Sequence, residues 1–158
     1  MGGTALGILS PYDDDLVEPI VKAELIAGGL TQYGPDPSYW YSVDDLPYGY
    51  DVEGPDVTLE PEEWRLVELA AGITVRCEVV LHIFVSDQVG RPLLARLAQR
   101  VALRIDGWVY VEFSDAPSPD LLDRLTQAGR CIRAAESVYL DAAAMAAWIA
   151  HPSFHVLK

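Results

Sequence analysis

Between Lys22 and Arg65 the chain has no positively charged side chain, while ten carboxylates fall in that interval. A surface of that sign repels phosphates, so direct nucleic-acid binding is not expected. Long apolar runs are also missing. None approaches the ~20 residues that span a bilayer. The opening MGGTALGILSPYDDD has no basic region ahead of an apolar stretch, so no signal peptide and no membrane contact are expected, and the location expected is cytoplasmic. Cysteine is scarce. Cys77 and Cys131 stand far apart without CxxC spacing, which points to free, buried thiols in a reducing compartment. The chain contains no GxSxG, GxGxxG, Walker-type or HExxH pattern. The reading is therefore of a protein that is not an enzyme and uses no cofactor or metal.

What is present starts with a lopsided charge. Up to Gly72 there are fifteen Asp or Glu against two basic residues, a balance of −13. From Ile73 onward nine acids meet nine Lys or Arg. The composition, 51% hydrophobic and 22% charged over 158 residues, is that of a folded chain with a real core. Disordered acidic segments are poor in aromatics. The acidic half here carries Tyr33, Tyr39, Trp40, Tyr41, Tyr48 and Tyr50.

Periodicity and punctuation predict the elements. Thr4 to Leu9 reads as a short buried strand, and Asp13 to Asp15 open a helix that Gly28-Gly29 ends. From Thr31 to Val57, four prolines and three glycines predict a long loop with one embedded strand over Ser38 to Val43. Pro61 starts a second helix, stopped by Gly72. Ile73 to Val85 alternates as a long strand. A helix from Gly90, a strand Trp108 to Phe113, a helix from Pro117, a strand Cys131 to Leu140 and a helix capped by Asp141 follow. Phe154 to Leu157 could add an edge strand. The fold class predicted is one α+β domain over residues 1–158, a largely antiparallel or mixed sheet with helices on one face. Within it, residues 1–72 form the acidic, aromatic half and 73–158 the balanced one.

Chemistry-bearing residues are few. His82 lies mid-strand and reads as a core or sheet-face histidine. His151 and His155 have HxxxH spacing, but Pro152 breaks the helix between them, which argues against a metal pair. Asp13-Asp14-Asp15 reads as helix N-terminal charge rather than a cation site. Cys77 and His82, five apart on one strand, point to opposite faces and cannot form a nucleophile–base pair. Arg96, Arg100 and Arg104 recur every four residues on one helix face. Such a stripe can track a phosphate backbone, but the charge of −13 argues against DNA, which leaves a solvated face or a partner for the protein's own acidic half.

The segment from Tyr33 to Glu53 remains. Rings give large contact area at low entropic cost, and acids around them select a basic partner. Tyr33, Tyr39, Trp40, Tyr41, Asp44, Asp45, Tyr48, Tyr50, Asp51 and Glu53 are the candidate partner-binding residues. The tail, DAAAMAAWIAHPSFHVLK from Asp141 to Lys158, is similar to the C-terminus of an uncharacterised bacterial family ending in a helix, His-Pro-x-Phe and a final Lys. Nine arginines to two lysines, abundant alanine and no asparagine suit a GC-rich bacterium. A small, acidic chain of this kind without catalytic motifs resembles the immunity proteins of bacterial polymorphic toxin systems. That resemblance implies stoichiometric occlusion of a cognate toxin domain with a basic surface, such as a nuclease. The alternatives are an acidic adaptor or inhibitor of an endogenous basic protein, and an enzyme with an unrecognised carboxylate site.

Overall fold

Strands apolar on alternate residues must be covered on one side, and strands apolar throughout on both. The computed structural model, which describes residues 3–34, 36, 39–54, 62–85, 88–134 and 136–157, shows both kinds in one sheet. The acidic half supplies β1 (Thr4–Ser10), α1 (Asp14–Ala27), β2 (Thr31–Gln32), β3 (Trp40–Tyr41), β4 (Pro47–Glu53) and α2 (Glu62–Ala71). The balanced half supplies β5 (Cys77–Ile83), α3 (Arg91–Ile105), β6 (Trp108–Val111) and α4 (Pro119–Ala128). It ends with β7 (Cys131–Ala134), β8 (Ser137–Leu140) and α5 (Ala142–Ile149). The strand order is β2-β3-β4-β5-β1-β6-β8-β7, and every pairing is antiparallel. The α+β class is thus as predicted. Strand β4 of the acidic half pairs with β5 of the balanced half from Tyr48↔Ile83 to Glu53↔Glu78, so the charge break at Gly72 does not divide the sheet.

One face buries Leu6 and Ile8 of β1, Val79, Leu81 and Ile83 of β5, and Val109 of β6, under α1, α3, α4 and α5. The fifth helix departs from the one-face expectation. Trp64 and Val67 of α2 pack on Leu9, Trp108, Ile132, Ala134 and Tyr139, which belong to the other face. The cause lies in β6 and β8, which are buried or nearly so at every residue and need a cover on each side. Ser118 and Asp141 cap α4 and α5, their side chains accepting from Leu121 N and Ala144 N.

Four other expectations change. The predicted loop from Thr31 to Val57 keeps its embedded strand as β3 and, among the described residues, gains β2 and β4, Pro47 occupying the first residue of β4, a position that tolerates proline. The long strand over Ile73 to Val85 shortens to Cys77–Ile83. Cys131 to Leu140 holds two strands, β7 and β8, paired antiparallel, rather than one strand. Phe154 to Leu157 forms no strand. Phe154 packs its ring 5.6 Å from that of Trp148, and Arg91 Nη1 donates to the Val156 carbonyl at 2.9 Å. The helix start placed at Pro61 lies outside the described residues. Among the described residues no helix is long and apolar enough to cross a membrane.

Candidate protein-binding face

Alternation along β3 and β4 sorts the aromatic residues onto two sides. Trp40, Tyr48 and Tyr50 point into the main core, with 2%, 1% and 6% of their surface exposed. Tyr48 donates its hydroxyl to the Gly90 carbonyl at 2.9 Å, and Tyr50 to Glu18 Oε1 at 3.1 Å. A Cβ at Gly90 would collide with Ile83 and the Tyr48 hydroxyl, so the close approach requires glycine there. These three rings are structural, which corrects the expectation that they anchor a partner.

The remaining rings look outward. Tyr33 and Tyr39 are 70% and 45% exposed, and Tyr41 is half-buried. Tyr33 meets Tyr41 edge-on at 5.4 Å between centroids, and Tyr39 lies 5.7 Å from exposed Phe84. Phe84 stacks on His82 at 5.5 Å, and His82 Nε2 is 2.9 Å from Asp51 Oδ2. Sequence reasoning left Phe84 out of the site and assigned His82 no binding role. The available signal was that positions 82 and 84 share the strand face opposite Leu81 and Ile83.

Carboxylates border this ring patch. Asp44 and Asp45 stand exposed on the turn between β3 and β4, beside exposed Val43. Ser42 Oγ accepts from Asp44 N at 3.3 Å and Leu46 N at 3.2 Å, and Asp45 takes the left-handed conformation with φ 59°. Farther along, Glu53 lies directly opposite Glu78 in the β4–β5 register. Burial, and secondarily the Glu53 carboxylate, push the Glu78 carboxyl above its ordinary value. No Lys or Arg occurs in β2, β3, β4 or β5.

On the helix-covered side three acids meet cationic partners. Glu24, buried in α1, takes Arg100 Nε at 2.9 Å and Arg104 Nη1 at 3.1 Å. Two of the three stripe arginines therefore serve the protein's own acidic half. Asp13 pairs with Arg76 at 3.2 Å, and Glu18 with Lys22 at 3.7 Å. On the opposite face, Glu63 of α2 accepts from Ser137 Oγ at 2.6 Å and from the Tyr139 hydroxyl at 3.3 Å. Burial, with Glu63 beside it, raises the Tyr139 phenol well above its ordinary range, so it remains a donor.

The other chemical candidates are occupied. Burial, aided by Asp14, pushes the Cys77 thiol up to about 11, on the face away from His82. Both cysteines are free. His151 Nδ1 accepts from Ser153 N at 3.0 Å. His155 Nε2 accepts from Ser114 N at 2.9 Å, so its Nδ1–H donates to the Ser153 carbonyl at 2.8 Å. Both nitrogens of His155 are committed to backbone partners. Among the described residues no three or more His, Cys, Asp or Glu are grouped to hold a metal ion.

No curated protein and no solved structure matches the chain. Residues 20–158 match DUF6368, a family of unknown function, and the match takes in the ring patch, its carboxylates and the five helices among the described residues, the first from its second turn. The chain belongs to the DUF6368 family.

Proposed function

We propose that this protein is an immunity protein, which binds the basic surface of a toxin domain from a secreted bacterial effector and occludes it one to one. The observation that carries the reading is the open sheet face. There, Tyr33, Tyr39, Tyr41 and Phe84 and the carboxylates of Asp44, Asp45, Asp51 and Glu53 lie on or next to strands without a single Lys or Arg. Carboxylates steer a cationic partner into register. Fully burying an exposed ring contributes ~1.5–3 kcal/mol, and Tyr39 and Phe84, each less than half exposed, contribute about half of that. An adaptor or inhibitor of an endogenous basic protein would use the same face, so the partner's identity separates the two.

The test is co-expression with the effector domain encoded beside this gene, scored as growth rescue, followed by binding kinetics on the purified pair. Rescue by the wild type is expected. The Tyr39→Ala/Phe84→Ala variant is expected to dissociate about 10- to 100-fold faster, at ~1.4 kcal/mol per tenfold, with its thermal unfolding unchanged. Absence of both rescue and binding overturns the immunity reading, and an unaltered dissociation rate overturns the role of these rings.

A further inference from the structure

Beside the ring patch, under the edge of α2, the open face keeps a recess of about 230 Å³. Gly7 of the central strand β1 forms its floor, and Trp64, Tyr110 and Tyr139 supply aromatic walls. Glu63 and Glu78 bring two carboxylates to it. Tyr110 and Tyr139 meet edge-on at 5.5 Å, and Tyr139 holds Glu63 through its hydroxyl, so the walls and one carboxylate are fixed in place.

We infer that this recess accepts the guanidinium of an arginine side chain projecting from the protein partner. The inference rests on the partner-binding reading above and names the group that the partner would insert. Three observations carry it besides the acids. First, Gly7 lies mid-strand, where a side chain would ordinarily pack. Among the described residues a Cβ there would meet only Glu78 Oε2, at 3.8 Å, so none of them fills the space above the floor. Second, Glu78 and Glu53 face each other across neighbouring strands, and among the described residues no cationic side chain pairs with either. Like charges in that position destabilise a sheet until a counter-charge arrives. Third, flat aromatic walls suit a planar, weakly hydrated guanidinium better than a compact ammonium. Two carboxylates exclude an anionic group.

The probe is Nα-acetyl-arginine amide, titrated into the protein alone and followed by the Trp64 indole N–H resonance. Nα-acetyl-lysine amide, Nα-acetyl-citrulline amide and equimolar sodium chloride run in parallel. A saturable shift with the arginine probe is expected, weaker with lysine and absent with citrulline and salt. Glu78→Gln should weaken arginine binding at least 10-fold, and Gly7→Leu, which fills the floor, should abolish it. Responses of equal size from citrulline or salt overturn the inference, as does full binding by Glu78→Gln. Should Gly7→Leu misfold, the Glu78→Gln comparison decides alone. Because no toxin is present, a failed titration beside successful rescue overturns the recess alone. A successful titration beside failed rescue overturns the immunity reading alone.

Discussion

Tyr39 and Trp40 are neighbours in the chain and opposites in environment, and this difference makes sharp predictions for single residues. Trp40 lies in the core with Tyr48 and Tyr50, so Trp40→Ala leaves a large cavity. It is predicted to cost about 3–5 kcal/mol of unfolding free energy in urea titrations. Tyr33→Ala removes an outward ring and is predicted to change stability by less than about 0.5 kcal/mol. Similar costs for the two would contradict the assignment of sides. Glu78 makes a pH-dependent prediction. Its carboxyl is raised above the usual value, so the folded protein binds that proton more tightly than the unfolded chain. The stability this contributes is fully present below the unfolded value, about pH 4. It is lost as pH rises through the folded value. Glu78→Gln removes the like-charge contact with Glu53 and is predicted to stabilise the protein at neutral pH by several tenths to about 1 kcal/mol. The gain should vanish near pH 3, where both states carry a neutral carboxyl. Melting temperatures of the two proteins across that range test it, and a gain that persists in acid would assign the effect to packing.

At the scale of elements, α1 and α3 are joined by more than apolar contact. Arg100 and Arg104 converge on buried Glu24, and both arginines are partly exposed. Glu24→Ala strands two cations that water can still reach, so a cost of roughly 1–3 kcal/mol is expected, smaller than for a fully buried pair. Arg100→Ala/Arg104→Ala leaves the buried carboxylate alone and should cost more. Equilibrium unfolding of the two variants gives the order. The helices were legible in the sequence because their signals are local. Ser118 and Asp141 cap, Gly28 and Gly72 stop, and the apolar stripes repeat within a few residues. Strands β2 and β4 were not, because their meaning depends on a distant partner, whereas β3 falls within the strand expected over Ser38 to Val43. Gly49 reads as a turn until β5 places His82 opposite it. Trp40 reads as one ring among six until β4 places buried Tyr48 beside it. The residue types of the candidate face were visible, therefore, but the side each ring takes was not. The described part of α2, Glu62–Ala71, lies within the helix expected from the sequence but on the other face, because nothing local to Trp64 announces that β6 and β8 are apolar on both sides.

Across the whole molecule, the charge of −13 is not spread evenly in its consequences. Helix-side acids such as Glu24 and Glu18 meet Arg or Lys, whereas Asp44, Asp45 and Glu53 meet no cationic side chain among the described residues. A cationic partner approaching at random is turned toward the open face, and its arrival rate depends on that local field rather than on net charge alone. Reversing Asp44 and Asp45 to Lys should therefore slow association with a basic toxin domain by about 10-fold or more at low salt, with dissociation changed much less. Reversing Asp120 and Asp123, exposed on α4 on the covered side, changes net charge by the same amount and should slow association only weakly. Near 1 M salt, where the screening length falls to about 3 Å, all three proteins should associate at nearly one rate. Stopped-flow measurements from about 0.02 to 1 M salt distinguish the cases. Equal slowing by the two double reversals would mean that the partner senses total charge, and the open face would lose its claim to steer the encounter.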